Sequence, residues 1–265
     1  MTICIAAICD NGKTCVISAD KEITLPGAAL EFEHKESKID VLSKTCAVMS
    51  SGDALLAAEV IGKTRSTLPQ GKDHSILSIA EKLRDTFIAI HLERAESVFL
   101  IPRGLTFKEF REKGAQQLPL PVFQEIQNQL FNYGINVVDF LIVGVDNSGS
   151  HIFRVHYNGV AGGSWLEWCE KIGHREIGSG ALHSSIYLSL ESQYSGTNLS
   201  DTIYNVYSAK KIAELSPGVG PATDMAIITN QGIKFFDQTI FDTLMNIRNE
   251  AKKIKPDLSK IPKFS

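Results

Sequence analysis

Hydrophobic positions along this chain alternate between two periods, and each change of period marks a boundary. Residues 3–9 and 14–19 are short apolar runs separated by Asp10-Asn11-Gly12-Lys13, a turn sequence, and they predict a hairpin of buried strands. Residues 45–50 predict a further strand. The pattern then becomes helical. Residues 53–68 are rich in alanine and leucine, and residues 75–94 carry a stripe of Ile76, Ile79, Ala80, Leu83, Phe87 and Ile90 with polar residues between. Strand-like runs return at 139–146 and 151–157 around Asn147-Ser148-Gly149. Two helices follow at 181–193 and 200–215, the second with Ser200 as its N-cap. A last hairpin spans 224–229 and 233–236, and a charged helix at 241–254 begins a helical tail that fills 241–265.

The resulting order of strands, helices, strands, helices and strands predicts an α+β domain. A single domain over residues 1–265 accommodates it, with one interruption. Residues 96–133 hold Pro102, Pro119, Pro121 and an amphipathic Phe107-Lys108-Glu109-Phe110 segment, and read as an insertion. Its bland reading is a surface excursion packed on its own domain; the sharper one places it at a subunit boundary or the mouth of a chamber.

Composition narrows the classes of function. Hydrophobic residues make up 43% and charged residues 22%, enough for a sizeable core. The net charge of -3 argues against nucleic acid or an anionic membrane as the main partner. No apolar run reaches the roughly 18–20 residues of a membrane-spanning helix. The apolar start lacks a basic leading region and enters a turn at once, so it reads as a strand rather than a signal peptide. Five cysteines without a CxxC pair predict reduced, mostly buried thiols and a cytoplasmic setting. The seven histidines are scattered, and neither a metal nor a cofactor is expected. Gly12-Lys13-Thr14 and Gly62-Lys63-Thr64 echo the end of a phosphate-binding loop, but Ala7 and Ala57 stand where its first glycine is required.

The candidate chemistry begins at Thr2. Removal of Met1 would leave a hydroxyl and a free α-amine on one residue, a nucleophile joined to its own base. That amine, with a reference pKa of about 7.7–8.0, can be neutral near physiological pH, and a neighbouring cation lowers its pKa further. Asp20, Lys38 and Gly52 follow, supplying a carboxylate, an ammonium and a backbone N–H. Singly, each has an ordinary reading: Thr2 as the first residue of an edge strand, Asp20 as a hairpin end, Lys38 as a solvated lysine, Gly52 as a helix-start glycine.

Taken in order, these residues resemble the β-type subunits of the proteasome and HslV peptidase family, the threonine-type N-terminal nucleophile hydrolases. The likeness is carried by the strand led by Thr2, by Ile17-Ser18-Ala19-Asp20, and by the ungapped Lys38-to-Gly52 interval. It continues through Ile177-Gly178-Ser179-Gly180, Leu190-Glu191-Ser192-Gln193-Tyr194 and Thr223-Asp224-Met225-Ala226-Ile227-Ile228-Thr229. It spans most of residues 2–236. The resemblance implies a four-layer αββα sandwich of two antiparallel sheets, with Thr2 as nucleophile, Asp20 holding Lys38 near it, Gly52 donating to an oxyanion, and Ser179 hydrogen-bonding near the amine. The family closes its site with an Asp, two residues, then Ser-Gly-Gly. This chain departs from that with Glu214-Leu215-Ser216-Pro217-Gly218-Val219-Gly220, where Glu214 and Ser216 are the nearest matches.

The expectation is therefore a threonine-type peptidase acting on peptides or unfolded protein in a homo-oligomeric ring, with an ATPase partner left open. Alternatives are a small-molecule amidase on the same fold and a catalytically silent ring subunit. A retained Met1 would favour the silent subunit, and the lack of a helical extension before Thr2 speaks against it. Assembly is also expected from the apolar stripes of residues 53–68 and 75–94, which exceed what a small sheet must cover.

Overall fold

The computed structural model describes residues 2–25, 30–33, 37–69, 74–135, 137–157 and 164–253, with backbone alone at 23–25 and 30–33. Part of the expected C-terminal tail, residues 254–265, lies outside the described residues. In chain order the strands and helices are β1 (Ile3–Cys9), β2 (Thr14–Asp20), β3 (Glu22–Leu25), β4 (Leu30–Glu33), β5 (Ile39–Ser43), β6 (Cys46–Gly52), α1 (Ala54–Thr67), α2 (Ile76–Ala95), α3 (Phe107–Gln117) and α4 (Leu120–Asn132). They continue with β7 (Val138–Asp146), β8 (Gly149–Tyr157), β9 (Ser164–Trp168), β10 (His174–Gly178), α5 (Ala181–Leu190), α6 (Leu199–Ala213), β11 (Thr223–Thr229), β12 (Gly232–Phe235) and α7 (Gln238–Lys253).

Two five-stranded antiparallel sheets organise these elements, ordered β10-β1-β2-β11-β12 and β5-β6-β7-β8-β9, beside a small β3-β4 ribbon. β1 and β2 are apolar along their whole length because both faces are covered. One face (Cys4, Ala6, Ile8, Ile17, Ala19) packs on Ala47, Met49, Leu141, Val143 and Ile152 of the other sheet. The opposite face (Ile3, Ile5, Ala7, Cys9, Val16) packs on Leu188 of α5 and on Val206, Ala209 and Ala213 of α6. The second sheet buries its outer face under α1 and α2, through Leu56, Val60, Ile79, Leu83 and Phe87 against Phe140, Phe153 and Tyr157. The molecule is thus a mixed α/β sandwich with helices outside and the two sheets facing each other within. The β1–β2 turn takes three successive left-handed residues, Asp10, Asn11 and Gly12, which is why the chain turns at that Asp-Asn-Gly.

Several sequence expectations need correcting. β1 lies between β10 and β2, so the ordinary reading of Thr2 as the first residue of an edge strand does not hold. α6 is capped by Asn198, whose side chain accepts from Asp201 N, and Ser200 sits inside the first turn. α7 begins at Gln238, three residues before the predicted start. The stripes of α1 and α2 do not form an exposed interface: Leu56, Val60, Ile61, Ile76, Ile79, Leu83 and Phe87 are at most 3% exposed and cover their own sheet. At about 1.5–3 kcal/mol for each fully buried large aliphatic side chain, that packing accounts for the stripes without any partner. Exposed apolar residues on helices include Leu55 of α1, Leu92 of α2, and Leu182, Ile186 and Leu190 of α5.

The insertion at 96–133 is mostly helical. α2 runs into a widened turn at Glu96–Leu100 and a tight turn at Ile101–Arg103, closed by Gly104 at φ 71°. α3 then starts with a reciprocal cap, Thr106 with Glu109, and α4 follows Pro119. Leu100, Phe110 and Ile126 form a small core of their own there, with Phe110 and Phe123 rings 5.0 Å apart.

Candidate active site

β1, β2, β5 and β10 converge on Thr2. Antiparallel pairing of β1 with β2 sets Cys4 opposite Ala19, so the next residue of β2, Asp20, comes level with Ile3. Asp20 is wholly enclosed. Its Oδ1 accepts from Ile3 N at 3.0 Å and from Lys38 Nζ at 2.9 Å, and its Oδ2 accepts from Glu22 N and Gly220 N, both at 3.3 Å. Four donors around one carboxylate offset the cost of burying its charge.

Lys38 stands one residue before β5, and its side chain is 15% exposed. Its ammonium donates to Thr2 Oγ1, to Asp20 Oδ1 and to the carbonyl of Glu22. Three protons therefore have three acceptors, one of them the threonine hydroxyl.

The Thr2 nitrogen, an amide while Met1 precedes it, occupies the place of the amine that cleavage would free. It donates to Ser179 Oγ at 3.3 Å, and Ser179 Oγ donates in turn to Thr2 O at 3.3 Å. Thr2 O also accepts from Gly180 N at 3.4 Å. This approach depends on Gly178, where φ is +101° and a Cβ would lie 2.2 Å from Thr2 O. Gly178 belongs to the Gly178-Ser179-Gly180 motif, yet the motif alone gives no hint that it fits against Thr2.

Gly52 ends β6 at this same corner of the sandwich. Cys4, two residues beyond Thr2, places its Sγ 3.5 Å from Ser50 O, two residues before Gly52. Gly52 has φ +106°, and a Cβ there would fall 2.1 Å from Val137 O, so only glycine fits. Asp53, next in the chain, caps α1 by accepting from Leu55 N and Leu56 N.

Of the six residues expected to carry chemistry, the structure joins Thr2, Asp20, Lys38 and Ser179 by hydrogen bonds and ends β6 at Gly52 close by. Ser216 is different: its Oγ lies 2.9 Å from His183 Nδ1 of α5. Glu214, the other nearest match to the family's closing element, is paired with Lys210 at 2.5 Å and Lys211 at 2.8 Å. The turn that carries Ser216 reaches the corner instead through Gly220, whose N–H meets Asp20. Residues that sequence reasoning missed include Glu22, which contributes only a carbonyl, and Lys210.

The five cysteines are free and buried. Burial pushes the Cys4 thiol far above its usual range despite the opposing charge of Lys38, and pushes Cys9 and Cys15 up to about 12 and Cys169 up to about 11. A shallow groove along α4, lined by Pro121, Gln124, Glu125, Asn128, Gln129 and Asn132, has a single ionisable residue and lies in the insertion, away from Thr2. No cluster of His, Cys, Asp or Glu that could hold a metal occurs among the described residues, and none of their helices is long and apolar enough to cross a membrane.

In comparison with known proteins, no family model matches the chain and no curated protein matches it.

Proposed function

We propose that this chain is a threonine-type N-terminal nucleophile hydrolase that cleaves peptide bonds once Met1 has been removed. The observation that carries the reading is Lys38, whose ammonium bridges the Thr2 hydroxyl and the buried Asp20 carboxylate. An exposed structural lysine has no reason to spend a proton on a strand-leading threonine. The αββα arrangement with Thr2 at the head of an interior strand supports the same reading.

The chemistry follows from these groups. Thr2 Oγ1 attacks the substrate carbonyl carbon while its proton passes to the freed α-amine, directly or through a water. Lys38 stabilises the developing charge on Oγ1, and the Gly52 N–H serves the carbonyl oxygen as it becomes an oxyanion, a role worth about 2.7–4 kcal/mol in other hydrolases. Collapse breaks the C–N bond, and the leaving nitrogen takes the proton held by the Thr2 ammonium. The acyl group remains as an ester on Oγ1. Water then attacks that ester with the amine again as base, releasing the acid and restoring Thr2. Ser179 keeps the nitrogen in place through both steps. Peptide or unfolded protein as substrate, a homo-oligomeric ring and an ATPase partner belong to this reading through the resemblance, and a cytoplasmic setting through the five cysteines without a CxxC pair.

The test is intact mass followed by labelling. Expressed protein should have lost one methionine, and an epoxyketone, which needs both the amine and the hydroxyl, should modify Thr2. Full peptidase and amidase activity in Thr2→Ala would overturn the mechanism. Met1 retained in the mature protein would instead favour a silent ring subunit. Light scattering decides assembly: a monodisperse particle at the monomer mass of 29.1 kDa would remove the ring and put a small-molecule amide substrate first.

A further inference from the structure

Lys210 occupies a position where the sequence pattern asks for an apolar residue. Val206, Ala209 and Ala213 of α6 are buried against β1 and β2, and Lys210 falls within the same stripe. Its side chain has no exposure. Burying an ammonium is costly unless every proton finds an acceptor. Here the three acceptors are Glu214 Oε1 at 2.5 Å, Gly220 O at 2.7 Å and Pro221 O at 2.9 Å.

Two of those acceptors belong to a stretch with little structure of its own. Residues 215–222 contain Pro217, Gly218, Gly220 and Pro221; the local backbone bonds that hold this stretch include Ser216 N to Ala213 O at the end of α6 and Val219 N to Ser216 O, and Gly218 is left-handed at φ +72°. Gly220 is the point of contact with the site. Its carbonyl meets Lys210, its N–H donates to Asp20 Oδ2 at 3.3 Å, and a Cβ on it would lie 2.5 Å from Glu22 Oε2. Glu22 is also the residue whose carbonyl accepts from Lys38. A continuous path therefore runs from Lys210 through Gly220 to Asp20, Lys38 and Thr2.

We propose that Lys210 is a positioning residue that clamps the 216–221 turn against Asp20, and so sets the carboxylate that holds Lys38 on the Thr2 hydroxyl. The proposal rests on the reading of Thr2 as nucleophile for its catalytic consequence, but its structural half can be judged without it. Charged groups facing Lys210 are Lys211 of α6, Glu214 at its C-cap and Asp20 from β2. Burial, against the pull of Glu214, brings the Lys210 ammonium down to about 8, so the clamp weakens as the pH rises past that value.

The deciding variant is Lys210→Met, which keeps the length of the side chain and removes all three donors. Amide exchange of Gly220 should accelerate by about 10-fold or more relative to Ile5 and Val16 in the core. With activity or epoxyketone labelling as the readout, kcat or the labelling rate should fall about 10-fold or more while KM changes little, since misplaced catalytic groups cost turnover rather than affinity. Gly220→Ala, whose Cβ would push the turn off Glu22, should produce a similar fall, and the double variant should be no worse than the poorer single one, because both act by displacing Gly220 from Asp20. Unchanged Gly220 exchange in Lys210→Met, or effects of the two substitutions that simply multiply, would overturn the proposal. If the wild type is not labelled at Thr2, the nucleophile reading fails and Gly220 exchange alone decides the clamp. If Lys210→Met does not fold, the wild type still answers. Corrected for intrinsic exchange, Gly220 protection must drop relative to Ile5 as the Lys210 ammonium, followed by NMR, loses its proton, and a ratio that stays constant through that titration rejects the clamp.

Discussion

Two hydroxyl-centred clusters lie toward opposite ends of β1, and their hydrogen bonds run in opposite directions. At one end Thr2 meets Lys38, Asp20 and Ser179. Beyond the other, where Ser150 N donates to Gly12 O across the two turns, Ser148 meets His151 and His151 meets Glu170. The second cluster has the distances of a serine relay: 2.9 Å from Ser148 Oγ to His151 Nε2 and 2.5 Å from His151 Nδ1 to Glu170 Oε1. Its proton accounting differs. The Ser148 hydroxyl donates to Asp146 Oδ1 at 2.6 Å, and the same oxygen takes Ser148 N and lies 3.0 Å from His151 Nε2. Asp146 Oδ2 accepts from Ile76 N and so fastens the first turn of α2 to β7. The proton of Ser148 is directed to a carboxylate that anchors a helix, away from the imidazole. At Thr2 the hydroxyl is instead the acceptor of an ammonium, which leaves its own proton free to be passed on. Distance alone would rank the two clusters equally; the direction of donation does not.

The largest effect that tests this contrast is removal of each hydroxyl. Thr2→Ala should abolish turnover and epoxyketone labelling, and Ser148→Ala should leave both at the wild-type level. Peptidase or amidase activity lost in Ser148→Ala by an amount that its stability does not explain would reverse the assignment of the two clusters.

Next comes the ammonium. Lys38→Ala should retain the fold and reduce turnover by about 10²–10³-fold, the cost of losing one preorganised charge or donor beside the reacting atoms. Lys38→Arg should not restore it, because a planar guanidinium cannot direct three protons to Thr2 Oγ1, Asp20 Oδ1 and the Glu22 carbonyl from one compact centre. A fully active arginine variant would place Lys38 outside the chemistry.

How much of this could be read from the sequence depended on whether identity or position carried the information. β1 and β2 were legible because a strand covered on both faces must be apolar throughout, and the register of the hairpin then brought Asp20 to the head of β1. The α2 stripe was legible too, although its breadth misled: it covers Phe140, Phe153 and Tyr157, not a partner. β10 was hidden because His174, Arg175 and Glu176 look like a loop; it is an edge strand of its sheet, and the pairs His174–Glu176 at 2.7 Å and Arg175–Glu167 at 2.7 Å neutralise its charges. Lys210 was hidden for a further reason. Two of its three partners are backbone carbonyls, which any residue supplies and no motif records. The start of α3 is readable in Thr106 and Glu109, whose spacing is that of a reciprocal cap.

A smaller effect should appear at Asp146, in stability and not in activity. Burial raises its pKa, but donation from Ser148, Ile76 N and His151 more than offsets this and brings the carboxyl down to about 2 from an ordinary 3.8. A depressed carboxyl contributes stability that is fully present above its unfolded value and is lost as pH falls through the folded value. Asp146→Asn should therefore be less stable than wild type by about 2 kcal/mol at neutral pH, the order set by that shift. The gap should close as the pH is lowered from about 4 toward about 2. Denaturant unfolding at several pH values measures it, and a gap that stays constant with pH would mean that Asp146 acts through packing rather than charge.

The smallest effect separates Ser216 from Ser179, two serines that the resemblance placed in the same site. Ser179 exchanges hydrogen bonds with both the nitrogen and the carbonyl of Thr2, whereas Ser216 is tied to His183. Ser216 is nonetheless buried at 6% exposure, so removing its hydroxyl leaves His183 Nδ1 short of a partner and should cost about 0.5–1.5 kcal/mol, the usual net worth of one such bond. Turnover in Ser216→Ala should stay within about 2-fold of wild type, since the link of that turn to Asp20 runs through Gly220 and not through this hydroxyl. Ser179→Ala should lower turnover more than it lowers stability. If Ser216→Ala instead lost activity as severely as Ser179→Ala at equal stability, the hydroxyl would have to reach Thr2 in the working enzyme, and the turn after α6 would close the site as the Asp-x-x-Ser element of the resembled family does.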